Sequence, residues 1–107
     1  MPAFKPVIIT TTTATREEAE KIGMALLQNQ IAACVQYEAI SSHYVWQDEV
    51  CCDEEIRVVI KSSRCHYKAV EKLIMANHSY DCPQILMQPV SRGLSAYLRW
   101  MKKQMGL

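Results

Sequence analysis

Missing from these 107 residues is any apolar run approaching the ~18–20 residues that a bilayer span requires. An excess of charge is missing too. Twelve Lys+Arg against eleven Asp+Glu leave a net charge of +1, so no basic face is expected to hold a nucleic-acid backbone through counterion release. Three Gly and four Pro in a chain that is 50% hydrophobic exclude collagen-like repeats, long linkers and disorder. There is no Walker loop, no G-x-G-x-x-G and no G-x-S-x-G, so the common nucleotide and hydrolase motifs are absent, and no enzyme is expected. Cysteine is not scarce, but its usual patterns are. Cys34, Cys51, Cys52, Cys65 and Cys82 form no C-x-x-C pair and no four-ligand zinc spacing, and an odd count is a poor disulfide framework. Met1-Pro2-Ala3-Phe4-Lys5-Pro6 has no apolar stretch long enough for a signal core. The expectation is a soluble single domain over residues 1–107, kept in the cytoplasm, with free thiols.

What is present is alternating strand and helix signal. Val7-Ile8-Ile9 running into Thr10–Thr13 reads as a strand buried on both faces. Thr15-Arg16-Glu17-Glu18 fits a capping box, with Glu18 reaching back to the cap, and Ala19, Ile22, Gly23 and Leu26 carry a helix to about Gln28. Ala32-Ala33-Cys34-Val35 begins a strand that continues, after a bend, through Ser42–Trp46. Gln47-Asp48-Glu49 is the turn region, which also takes in Cys51-Cys52, and Ile56–Lys61 returns. A second helix spans Arg64 to Asn77 with Val70, Leu73 and Ile74 inward. Ile85-Leu86-Met87 is a further buried strand, and a closing helix carries Leu94, Tyr97, Leu98, Met101 and Met105 on one stripe. The order β-α-β-β-α-β plus α predicts an α+β fold: a ferredoxin-like antiparallel sheet with two helices on one face. The two crossover helices cover only that face. An apolar second face then calls for the third helix or another subunit, and self-association is the favoured answer.

Two places concentrate chemistry. Period-two geometry puts Glu55, Arg57, Val59 and Lys61 on one face of the return strand, and Tyr44 and Trp46 share a face of its partner. Together they could line a polar cleft, or form a solvated face of cross-strand ion pairs, which the hairpin alone favours. His78-Ser79-Tyr80-Asp81-Cys82-Pro83, between the second helix and the last strand, is the densest cluster of ligand-type side chains. Imidazole, carboxylate and thiol within five residues suit copper or zinc. The plainer alternative is a helix end finished by His78, with Cys82 a small core residue. Cys65-His66 adjacency does not make a nucleophile–base pair, because helix neighbours point about 100° apart.

Set in order, Ala32-Ala33-Cys34-Val35, Ser42-x-Tyr44-x-Trp46, Glu55 with Lys61, His78-x-Tyr80-Asp81-x-Pro83 and Tyr97-Leu98-x-Trp100 resemble the CutA divalent-cation-tolerance proteins over about Glu18 to Trp100. The resemblance implies a ferredoxin-like homotrimer with hairpins extended across subunits, a link to tolerance of divalent metals and copper binding, and no established reaction. It implies cleft positions for Tyr44, Trp46, Glu55, Lys61, His78, Tyr80 and Asp81, with Cys34 as a soft ligand nearby. This chain departs from the family pattern at Asp48 (usually Gly), Ser79 (Pro), Asp81 (Glu), Cys82 (Val or Thr) and the threonine end of the first strand, where some relatives place Cys. These departures bear on the ligand set more than on the fold.

Three functions follow as expectations. The first is a metal-binding trimer in which Cys34, His78 and either Asp81 or Cys82 hold copper or another divalent cation, with Glu55 and Lys61 tuning the charge. The second is a sensor trimer, similar to the nitrogen-regulatory signalling trimers, that takes an anionic metabolite through Lys61 and Arg57 with Trp46 or Tyr80 stacked on it. The third is a structural trimer whose metal binding is adventitious.

Overall fold

A computed structural model describes residues 4–107; residues 1–3 of the N-terminal segment lie outside the described residues. The elements run β1 (Pro6–Thr13), α1 (Arg16–Gln28), β2 (Cys34–Trp46), β3 (Glu49–Ser63), a 3-10 turn (Arg64–His66), α2 (Tyr67–Asn77), β4 (Ile85–Pro89) and α3 (Ser95–Gln104). The strands form one sheet in the order β2-β3-β1-β4, every pair antiparallel. This is the expected split β-α-β arrangement, with α1 and α2 covering one face of the sheet.

The core explains the register. Val7 and Ile9 of β1, and Val58 and Ile60 of β3, point at the helices and meet Ile22 and Leu26 of α1 and Val70 and Ile74 of α2, all essentially inaccessible. Each such side chain contributes about 1.5–3 kcal/mol relative to leaving it in water. A one-residue slip would turn the whole set to the other face, so these positions fix the pairing. Gly23 lets α1 approach β2 closely, since a Cβ there would overlap the Tyr37 phenol.

Six expectations change. Strand β1 is not buried on both faces: Val7 and Ile9 are inaccessible against the helices, while Ile8 and Thr10 on the other face are only half-buried. Strand β2 has no bend and runs unbroken for 13 residues, because it is paired to β3 all the way from Cys34↔Lys61 to Trp46↔Glu49. Cys51 and Cys52 therefore sit in a strand, not in the turn, which is confined to Gln47 and Asp48. Strand β4 is not buried: it is an edge strand held by β1 alone, and Leu86 is 59% exposed. The α3 stripe divides, with Met101 and Met105 buried against Ala33 and Phe4 while Leu94 stands in solvent. Finally, Thr15 caps α1 by accepting from the Glu18 amide (3.2 Å), but the Glu18 carboxylate turns away from the cap and accepts from Ser79 Oγ (3.2 Å).

The second sheet face carries Ile8, Thr10, Cys34, Val59 and Lys61, among others, by direct cross-strand pairing. Helix α3 reaches one end of it, where Lys61 Nζ donates to Tyr97 Oη (3.3 Å) and lies 5.3 Å from that ring's centre. At the opposite end the β2–β3 hairpin runs out past the helices. The molecule is 47 × 25 × 21 Å with a radius of gyration of 14.5 Å, against about 13 Å for a compact chain of this size.

Candidate functional site

Where the hairpin leaves the body, the chain after α2 folds back over the second sheet face and encloses a cleft of about 500 Å³. Its wall is made by Thr12 of β1, by Ser42, His43, Tyr44 and Trp46 of β2, by Asp53 and Glu55 of β3, and by Tyr80, Asp81, Cys82 and Gln84 of the returning loop. Alternation explains most of this. Thr12, Ser42, Tyr44, Trp46, Asp53 and Glu55 all leave the face away from α1 and α2. Ser42, His43 and Tyr44 are consecutive, so the backbone of this edge strand must form part of the wall.

Two phenol–carboxylate pairs line the cleft. Tyr44 Oη donates to Asp53, and Tyr80 Oη donates to Glu55 (2.9 Å), tying the loop to the sheet. The hydrogen bond to Asp53 pushes the Tyr44 hydroxyl up to about 12. Burial, followed by the bond to Glu55, raises Tyr80 as well. Both phenols therefore stay protonated donors at neutral pH. The cleft thus holds Asp53, Glu55 and Asp81 with the Cys82 thiol, and none of the described residues lining it is Lys or Arg.

His78 is behind this wall, not on it. Its side chain is inaccessible, its Nε2 lies 2.7 Å from the Thr12 carbonyl, and its Nδ1 lies 3.1 Å from the Tyr80 amide. A carbonyl only accepts and an amide only donates, so the ring carries its proton on Nε2 and accepts at Nδ1. Both nitrogens are occupied in pinning the loop to β1, with the Glu18 carboxylate 3.6 Å from Nδ1. The ring also packs against Tyr80, at a centroid distance of 4.8 Å.

The expected residues therefore divide. Tyr44, Trp46, Glu55, Tyr80, Asp81 and Cys82 come together in the cleft. Cys34 and Lys61 pair with each other at the α3 end of the sheet, about 20 Å along β3 from Glu55. Arg57 is bound to Glu38 through Nε (3.0 Å) and Nη2 (2.6 Å) and lies outside the cleft wall. Among the described residues no three His, Cys, Asp or Glu side chains converge as a metal-holding group. The proposed set of Cys34, His78, Asp81 and Cys82 thus does not assemble within one chain: Cys34 is remote, and His78 has spent both nitrogens. Asp53 is the acidic cleft residue that sequence reasoning missed. Its signal was its place two positions before Glu55, on the same face of the strand.

A small α+β chain with this sheet order, and an acidic cleft under the loop after its second helix, defines the class of protein. The chain belongs to the CutA1 divalent ion tolerance protein family, whose pattern it matches over residues 7–104. The divalent-cation tolerance protein CutA of Thermus thermophilus is 30% identical over 100 residues, covering 92% of this chain and 97% of that protein. The chloroplastic protein CutA of Arabidopsis thaliana is 31% identical over 97 residues, and there the chain spans only 53% of the relative's length. In structure, the periplasmic divalent cation tolerance protein CutA of Archaeoglobus fulgidus superposes with a TM-score of 0.92 at 31% identity, covering 94% of this chain and 98% of that one.

Proposed function

We propose that this chain serves divalent-cation tolerance as a homotrimer, its cleft taking up a divalent cation, copper foremost, at the Asp81-Cys82 loop facing Asp53 and Glu55. The observation that carries this reading is the charge of the cleft: three carboxylates and a thiol with no cation among the described lining residues. Carboxylate and thiol donors together suit a borderline ion, and the affinity order of the first-row metals puts copper at its head. An anionic metabolite is disfavoured, because Lys61 and Arg57, the groups that would meet it, are engaged elsewhere. The trimer answers the exposed apolar side chains Val45, Trp46, Val50, Leu86 and Trp100, which in an isolated chain are a liability. Five free cysteines suit a reducing compartment, the cytoplasm.

Native mass spectrometry of the reduced protein with Cu(II) and with Zn(II) tests both parts. A trimer with a whole-number ion count, abolished in the double variant Asp81→Asn, Cys82→Ser, is the expected result. A monomer overturns the assembly. Graded, non-saturating uptake that ignores the double variant overturns the site.

A further inference from the structure

The adjacent cysteines have no part in the cleft reading, and the strand register separates them. Cys51 pairs with Tyr44 and leaves the cleft face; Cys52 pairs with His43 and leaves the opposite one. His43 and Cys52 are thus directly opposed on an antiparallel pair, where Cβ atoms are about 5 Å apart. From that separation a thiolate and an imidazole nitrogen can both reach one ion at metal–ligand lengths of about 2.0–2.3 Å. Both residues are exposed, and Cys52 is a free thiol. Each is free to turn toward the other.

The pair has a distinctive surround. On the tip side the next pair on that face is Val45↔Val50, which presents only methyl groups. On the body side it is Ser41↔Glu54, where Ser41 Oγ donates to Glu54 Oε1 (2.7 Å), leaving a carboxylate charge beside the pair. One soft and one borderline donor, next to a negative charge, favour a soft cation.

We propose that His43 and Cys52 form a two-ligand surface site for Cu(I), distinct from the cleft and on the other face of the hairpin. Thiolate selects Cu(I) among the biological metals, and a d¹⁰ monovalent ion is content with two roughly linear ligands. Zinc is not, since it wants four, and no third His, Cys, Asp or Glu converges here among the described residues. Binding balances without redox change: the Cys52 thiol releases its proton to solvent, its sulfur forms one bond to copper, and the unprotonated nitrogen of neutral His43 forms the other. The copper enters and stays as Cu(I). This goes beyond the cleft reading and does not depend on it.

Anaerobic titration with Cu(I) against a colorimetric Cu(I) chelator tests the site in the full chain. Cys52→Ser and His43→Ala should each weaken one Cu(I) equivalent per chain by at least about tenfold, since even displacing a supporting group around a metal costs that much. Cys51→Ser, and the cleft variant Asp81→Asn, should leave that equivalent in place. Because these positions are exposed strand residues, the variants keep the core, and unchanged circular dichroism confirms it. Retention of the equivalent in Cys52→Ser or in His43→Ala overturns the proposal. So does a loss in Cys51→Ser as large as that in Cys52→Ser, which would make the site a cysteine pair.

Discussion

Strands β2 and β3 are one ladder with two unlike ends. Toward the body, β3 alternates with helix cover: Val58, Ile60 and Ser62 are inaccessible while Arg57, Val59 and Lys61 keep partial exposure. Toward the tip the same strand has no cover on either face, and Val50 is 78% exposed. The backbone is equally regular throughout, paired without a bulge to the final Trp46↔Glu49 step. Helices above the sheet decide which stretch is core, and strand pairing alone decides which stretch exists. The body end is constrained by packing, whereas the tip end is free to carry donors such as Tyr44, Asp53, His43 and Cys52.

The sharpest way to break that contrast is to delete methyl groups at each end. Ile60→Ala removes a fully buried side chain facing Ile9 across the sheet and should cost about 2–5 kcal/mol in a denaturant titration. Val50→Ala should stay within about 0.5 kcal/mol in the isolated chain, as exposed positions do. A loss above about 1 kcal/mol at Val50 would mean that the tip is buried in the assembled protein, and it should then depend on protein concentration.

The body end was legible because it obeys two periods. Apolar alternation in β3 and the Ala19-Ile22-Leu26 spacing in α1 are local signals that the core repeats, whereas β1, read as a continuous apolar run, alternates in burial because only one of its faces is covered by helices. The tip was less legible. Polar and mixed side chains from Gln36 to Ser42 gave no strand period, so a bend was expected where continuous pairing to β3 keeps β2 straight. The site was half legible for a related reason. Residue type marked Asp81, Cys82, Tyr80 and Glu55 as chemistry, but type cannot show that Thr12 and Tyr80 backbone groups take both nitrogens of His78, nor that register carries Cys34 to the far end. Those facts are set by contacts between elements distant in sequence.

His78 pins the cleft loop to β1, and its removal is the next largest effect. The ring bridges the Thr12 carbonyl to the Tyr80 amide from a fully buried position. His78→Ala leaves both backbone groups without their partner, at a cost of about 1–3 kcal/mol. If the ring positions the loop, as this geometry requires, the variant should also weaken cation uptake at Asp81-Cys82, while Cu(I) at Cys52 is unaffected. Lost uptake with unchanged stability would instead make His78 a direct ligand, contradicting the tautomer fixed by its two backbone partners.

The smallest change lies at the tip itself. Gln47 and Asp48 have φ of 51° and 66°, the pair of positive values that a two-residue type I′ turn demands. A side chain in that region costs about 1–2 kcal/mol, which Asp partly avoids. Glycine would remove the penalty but gives back about 0.4–1 kcal/mol in unfolded-chain entropy. Asp48→Gly should therefore stabilise the chain by about 0.5 kcal/mol, seen as a higher denaturant midpoint at unchanged slope. The gain is small because the tip carries little of the fold's stability. A midpoint that falls would show the Asp48 carboxylate itself holding the turn, in which case the hairpin's end is fixed by side-chain chemistry as firmly as its base is fixed by packing.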